Sequence, residues 1–260
     1  MKIAVCVKAV PDTESKIAIA ADKKGIDYTG VRFITSPYDE LAIEAALQLK
    51  EKHGGETVAF SMGGPECTDV LRDALARGID SAVHLQDPSF VGAEPLSTAK
   101  VLAAAIKDGG FDAIMLGQQG VGGDNNQVPA MLAELLDLPQ ICVILKLEVE
   151  GNTFKAEREI EGAYELMEGA LPAVFSCQKG LNEPRYPGIK GVMAARRKEI
   201  AVKNAEALGL AGKVGVDVAA LQLVELVLPP ARPQGRVLEG DLDAQVKTLV
   251  QLLRTEAQVI

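Results

Sequence analysis

Four glycines in seven residues open the stretch Gly117-Gln118-Gln119-Gly120-Val121-Gly122-Gly123-Asp124-Asn125-Asn126-Gln127-Val128. Such a density is a poor choice inside a helix or strand. It suits a backbone that comes close to a ligand and presents consecutive N–H groups. An apolar run ends just before it at Leu116, and an amphipathic stretch begins at Asn126. Asp124 or Asn125 can cap that helix, whose N-terminus adds partial positive charge. Together these features make a seat for a phosphate. A flexible surface connection is the competing reading. The pattern is neither G-x-G-x-x-G directly after a strand nor a glycine loop followed by G-K-[ST], so a Rossmann dinucleotide site and a P-loop both fail.

A second small-residue loop, Ser61-Met62-Gly63-Gly64-Pro65-Glu66, can flank the same ligand or serve only as a tight turn. In Ser36-Pro37-Tyr38-Asp39-Glu40, Ser36 reads as a helix cap and Pro37 as the first helical residue. Hydrolytic and nucleophilic chemistry find no anchor: there is no G-x-S-x-G, no H-E-x-x-H and no cysteine with an obvious base. Cys6, Cys67, Cys142 and Cys177 form no C-x-x-C pair and read as reduced structural thiols. With only His53 and His84, a zinc site is not expected, and His84 reads as a core residue. A net charge of −9 argues against nucleic acid. The basic run Arg196-Arg197-Lys198 is a solvated face or a protein-docking patch.

The elements that must position these loops alternate. Apolar runs at 3–7, 57–61, 81–85 and 112–116 read as strands. Amphipathic stretches at 39–52, 66–76, 94–107 and 126–136 read as helices, several stopped by glycine. Residues 17–21 and 26–28 flank a turn and read as a small hairpin. Strands joined by such helices form a parallel sheet covered on both faces, with ligands beyond the carboxyl ends of its strands. The loops 7–13, 61–66 and 117–126 lie there. After Pro139 the pattern becomes alternating apolar and charged, which implies appended antiparallel strands at 145–149, 153–159 and 163–167; a buried strand returns at 173–176. From residue 200 the chain reads as an arm: an extended segment from Val224 through Pro233, then a helix over 241–254. The expected organisation is an α/β nucleotide-binding domain over 1–199 and an extended arm over 200–260. No apolar run is long enough to suggest a membrane span, and the first residues read as a strand rather than a leader, so a cytoplasmic protein is expected.

Several stretches together, in order, resemble the electron transfer flavoprotein beta subunits. They are Val5 to Thr13, Ser36 to Ala42, Leu116 to Val128, Glu157 to Gly162 followed by Leu171-Pro172-Ala173-Val174, Leu181 to Tyr186, and the Pro-rich arm before the last helix. The resemblance implies an α/β adenine-nucleotide-binding sandwich whose C-terminal arm embraces a larger alpha subunit. That subunit would hold most of the redox FAD site, and this chain would be an electron-carrier subunit with no catalytic residue. A structural AMP would contact Cys6, Ser36, Pro37, Tyr38, Asp39, Met62 and the run Gln118, Gln119, Gly120, Val121, Gly122, Gly123, Asp124, Asn125, Asn126, Gln127 and Val128. Tyr186, Ile189 and Met193 would dock acyl-CoA or similar dehydrogenases, with Ile189 as the apolar anchor.

There are departures. Ser36 stands where the family usually has Asn. Pro11-Asp12-Thr13 resembles electron-bifurcating relatives that bind a second FAD in this site. Their loop reads Asp-Gly-Asp-Thr-Ala-Gln-Val where this chain has Gly122-Gly123-Asp124-Asn125-Asn126-Gln127-Val128. AMP is therefore the expected occupant, with FAD as the alternative. A stand-alone nucleotide-binding stress-type protein on the same fold is the reading from another class.

Overall fold

Strict alternation sets the first strand, β1 (Lys2–Cys6): Ile3 and Val5 enter one core cluster, Ala4 and Cys6 the other. A strand apolar on both sides needs cover on both faces, and the computed structural model, which describes residues 1–232 and 234–260, supplies it. Two small antiparallel pairs follow, β2 (Ala9–Pro11) with β5 (Phe33–Thr35) and, between them, β3 (Ala18–Ile19) with β4 (Ile26–Asp27). The β3–β4 pair is the expected hairpin.

Helices and parallel strands then alternate through α1 (Pro37–His53), β6 (Glu56–Met62), α2 (Cys67–Arg77), β7 (Ser81–Leu85), α3 (Pro95–Ile106), β8 (Ala113–Gly117) and α4 (Val128–Leu136). Residues of α1 and α2 pack in the cluster with Ile3 and Val5; residues of α3 and α4 pack with Ala4 and Cys6. The chain continues through β9 (Gln140–Glu150), β10 (Thr153–Ile160), β11 (Ala163–Ala170), β12 (Ala173–Cys177), α5 (Ile189–Arg197) and β13 (Ile200–Lys203), and later forms α6 (Leu242–Thr255). One nine-stranded sheet runs in the order β11-β10-β9-β12-β8-β1-β6-β7-β13, antiparallel among β9, β10 and β11 and parallel elsewhere.

Strand β9 serves both kinds of pairing. Its first half runs parallel to β12 and its second half antiparallel to β10, with register shifts in both ladders. Val143 takes φ 57° between the halves, and its N–H donates to Ser176 Oγ at 2.8 Å. That conformation is rare for a β-branched residue, and it marks the bend.

Three expectations need correction. First, α4 begins at Val128, not Asn126, and neither Asp124 nor Asn125 caps it. Asp124 and Asn126 both take positive φ, 47° and 49°, so the chain turns twice before the helix starts. Second, Ser36 holds the cap position of α1, but its hydroxyl makes no cap bond. The Asp39 N–H it would have received is already donated to the Ser36 carbonyl at 2.8 Å. Third, residues beyond 200 do not leave the sheet at once. Strand β13 pairs with β7, while Ala205 and Val214 are buried. One compact unit spans Met1–Val224 and a second spans Glu225–Ile260, so the expected boundary at 199/200 falls inside the first. Of the expected arm, Pro233 lies outside the described residues. Within the second unit, α6 is capped by Asp241, whose carboxylate accepts the Ala244 N–H at 2.8 Å.

Candidate functional site

The sheet order reverses at β1, with β6 and β7 on one side and β8 and β12 on the other. Where such a reversal occurs, the loops from the carboxyl ends of neighbouring strands diverge and leave a crevice. Here a cleft of about 390 Å³ opens at the ends of β1 and β8, with Met62 of β6 also in its wall. That size suits a small ligand.

Its floor is held by Asp39, 6% exposed in the first turn of α1. One carboxylate oxygen accepts the Lys8 N–H just past β1, and the other accepts the Gly117 N–H at the end of β8, each at 2.8 Å. One side chain thus ties together the two strand ends that border the cleft. Burial pushes this carboxyl up, to about 7, against the pull of the two N–H donors and the Lys8 ammonium. Beneath it, burial raises the thiols of Cys6 and Cys177, and the nearby Asp39 raises them further. Neither cysteine is a ready nucleophile at neutral pH.

The sign of the Asp39 effect is opposite to that of a salt-bridged carboxylate. A folded-state value above the ordinary 3.8 favours the native state most below that pH, and this contribution is lost as pH rises through about 7. The loss is at most about 4 kcal/mol. Urea unfolding from about pH 4 to pH 8 should show this decline in the parent chain and not in Asp39→Asn. The variant should also be less stable near pH 4, because its NH2 group faces one of the two N–H donors. A parallel decline in both chains would show that another group titrates.

The glycine loop forms the wall above Asp39. The Gly123 and Asp124 N–H groups donate to the Gly120 carbonyl, and Asp124 accepts from Gln119 Nε2 at 3.0 Å. Asp124 therefore braces the loop instead of capping α4. Gln127 stands at the cap position without a side-chain cap bond. Among the described residues, the N–H groups of Asn125, Asn126 and Gln127 have no intramolecular acceptor. All three residues line the cleft, at the uncapped start of α4. Gln118 Oε1 is buried without a partner in the same wall. Lys8 reaches across this loop: a Cβ on Gly120 would stand 2.7 Å from Lys8 Nζ. Among the described residues, Lys8 is the one cation in the wall, and no carboxylate lies within ion-pair distance of its ammonium. Consecutive free N–H groups, a helix N-terminus and an unpaired cation make an anion seat.

Of the expected contacts, the structure brings Cys6, Asp39, Met62, Gln118, Gln119, Gly120 and Gly123 through Val128 into one cleft. Ser36, Pro37, Tyr38, Val121 and Gly122 are not in its wall. Tyr38 lies behind it, with its backbone and Cβ against Gly117, and Ser36 is fully buried with its hydroxyl unpartnered. Sequence reasoning missed Lys8, Tyr28, Phe90 and Thr98, which also line the cleft. A lysine directly after the first strand was the available signal for Lys8. Tyr186, Ile189 and Met193 form a separate exposed apolar group, 92%, 83% and 58% exposed. Ile189 and Met193 share one face of the short helix α5. His84 is buried, with Nε2 3.1 Å from the Gly63 carbonyl, as a core histidine should be.

These features place the chain among α/β proteins with a cleft at the switch point of a parallel sheet. The model of the electron transfer flavoprotein domain matches residues 25–208. The chain is 42% identical over 261 residues to the electron transfer flavoprotein subunit beta of Bacillus subtilis, covering 100% of each chain. It is 36% identical to the same subunit of Bos taurus, over 96% of this chain and 98% of that one. It is 35% identical to the caffeyl-CoA reductase-Etf complex subunit CarD of Acetobacterium woodii, over 92% of each. The chain belongs to the electron transfer flavoprotein family, matching its beta subunits from end to end, and its function lies in electron transfer. Among the described residues, no helix is long and apolar enough to cross a membrane, and no group of His, Cys, Asp and Glu is placed to hold a metal.

Proposed function

We propose that this chain is the nucleotide-seating and dehydrogenase-docking half of a heterodimer, in which FAD held mainly by a larger alpha subunit shuttles the electrons. The observation that carries the nucleotide part is the anion seat: three cleft-lining residues before α4 with free N–H groups, and Lys8 in the same wall. AMP fits it in chemistry. Its phosphate matches the N–H groups and the ammonium, and the apolar wall of Met62, Phe90 and Leu102 suits the base. Bound AMP supplies no redox chemistry; it adds stability by binding only the folded chain. This chain's residues orient it: Asp39 fixes the floor, Gln118 offers an unused acceptor, and Lys8 neutralises charge. The exposed group at Tyr186, Ile189 and Met193 is the docking surface for acyl-CoA or similar dehydrogenases.

The deciding experiment is acid denaturation of the purified heterodimer, with identification and counting of the released nucleotides. One FAD and one AMP are expected. Two FAD would replace AMP by a second flavin in the same cleft and make this a bifurcating subunit. A chain that purifies alone without nucleotide would favour the stand-alone reading.

Lys8→Met keeps the length of the side chain and removes the charge. Hydrogen bonds to charged groups are worth about 1.5–3 kcal/mol, so AMP affinity should fall roughly ten- to a hundredfold. Calorimetric titration of nucleotide-stripped protein measures this. An unchanged Kd would remove Lys8 from the site.

A further inference from the structure

Tyr186, Ile189 and Met193 project from a segment that is held from behind. Arg185 is the main holder. Its guanidinium forks between two carboxylates of α1: Nε donates to Glu44 at 2.7 Å, Nη2 to Glu44 at 2.9 Å, and Nη1 to Glu51 at 2.5 Å. Glu44 and Glu51 lie two turns apart on one face of the helix. The Arg185 backbone is fixed as well. Its N–H donates to Glu44 at 3.2 Å, and its carbonyl accepts from Arg77 at 3.1 Å. Arg77 is itself spread over Glu40 and Asp73. Just upstream, Asn182 Nδ2 donates to the Leu41 carbonyl at 3.0 Å.

The far end of the segment is pinned too. Gly191 presses α5 onto the end of α2, where a Cβ would stand 2.2 Å from the Ala76 carbonyl oxygen. Arg72 donates to the Ala195 and Lys198 carbonyls at the end of α5. So the exposed apolar residues sit on a braced edge.

Glu44 is 4% exposed, and burial works against its charge. The Arg185 hydrogen bonds outweigh that and hold it below the ordinary carboxylate range. A buried ion pair is weak evidence for stability, since an apolar pair of similar volume often does as well. What the fork supplies that an apolar pair does not is direction: it fixes the guanidinium plane, while Glu44 also takes the Arg185 N–H and Arg77 holds the Arg185 carbonyl. The next residue is Tyr186.

We propose that Arg185 is a positioning residue for electron transfer. By bridging Glu44 and Glu51 it presets the direction in which Tyr186 and Ile189 leave the protein, so the docking surface is formed before the dehydrogenase arrives. This rests on the docking reading above. A loosened segment must be ordered at each encounter, which weakens association and leaves transfer within the formed complex unchanged.

The test uses the whole heterodimer. An acyl-CoA dehydrogenase that reduces the parent heterodimer is supplied with its acyl-CoA, and flavin bleaching is followed over a range of heterodimer concentrations. Arg185→Met is combined with Glu44→Gln, so that no bare carboxylate is left buried. The apparent KM for the heterodimer should rise roughly ten- to a hundredfold with kcat within about twofold. Nucleotide content should not change, and the amides of Arg185, Tyr186, Gly188, Ile189 and Lys190 should exchange faster with solvent. Arg185→Lys, which keeps the charge and loses the fork, should fall between parent and double variant. Ile189→Ala separates the two ideas. If it raises KM and the Arg185 variants do not, positioning fails and docking stands. If Ile189→Ala has no effect, the docking reading fails and takes this proposal with it. Unchanged exchange in the double variant, or a fall in kcat in place of a rise in KM, would also overturn it.

Discussion

Gly117→Ala is expected to cost roughly 2–6 kcal/mol of stability and to empty the cleft of its proposed nucleotide. The reason is distance and not backbone conformation. Gly117 is the last residue of β8, paired with Cys177 of β12. A Cβ there would stand 2.6 Å from Tyr38 Cβ, 2.7 Å from the Tyr38 backbone carbon and 2.5 Å from Asp39 Oδ1. Two of these three neighbours cannot swing away, since they belong to the first turn of α1 and move only with it. Overpacking of this kind costs about 1–3 kcal/mol. Moving α1 would also stretch the Gly117 N–H···Asp39 bond, and a buried partner left unsatisfied costs about 1–3 kcal/mol more. Domains are stable by only about 5–15 kcal/mol, so the variant should be conspicuous.

Urea unfolding with nucleotide counting would measure both effects. The midpoint should drop with an unchanged slope, and acid extracts should lack AMP. A variant within about 0.5 kcal/mol of the parent would mean that α1 does not approach β8 this closely. Gly122→Ala is the informative contrast. Gly122 has φ 87° and open space around its missing Cβ. Its cost should come from backbone strain alone, near 1 kcal/mol.

The contrast between these glycines shows what the sequence discloses. Glycine density announced a loop near a ligand, but not which glycine is indispensable, because Tyr38 meets Gly117 only in the fold. The strands were legible because burial on both faces leaves a local mark: β7 was expected at 81–85 and spans Ser81–Leu85. The start of α4 was not, because nothing local says that Asp124 and Asn126 will turn left-handed. Strand β13 was read as arm because its four residues become a strand only by pairing with β7. Lys8 and Arg185 were overlooked as actors for the same reason. One gains its role from Gly120 and the other from Glu44, both distant in sequence. Helix α5 escaped because its apolar side is short and follows Pro187-Gly188, which reads as loop.

Removing residues 229–260 should leave a folded chain that no longer holds the larger alpha subunit proposed above. Both core clusters lie within Met1–Val224, so the first unit keeps every buried apolar residue they contain. The second unit is different in kind. None of its described residues is buried, and its helix α6 is 14 residues long. Isolated helices of about 12–15 residues are marginal in water. The Asp241 cap contributes only about 1 kcal/mol to this one. Yet Leu242, Val246, Leu249, Val250 and Leu253 recur at helical spacing, a stripe that is stabilising only against another surface. Fully burying such side chains is worth about 1.5–3 kcal/mol each. Even after the cost of ordering the segment, their loss should weaken the heterodimer by about three orders of magnitude. Co-expression of the truncated chain with the larger subunit, followed by light scattering on the purified material, would measure it. The expected result is a monomer with native urea unfolding and no associated flavin. A truncated chain that still elutes as a heterodimer with its FAD would assign the stripe on α6 to some other surface.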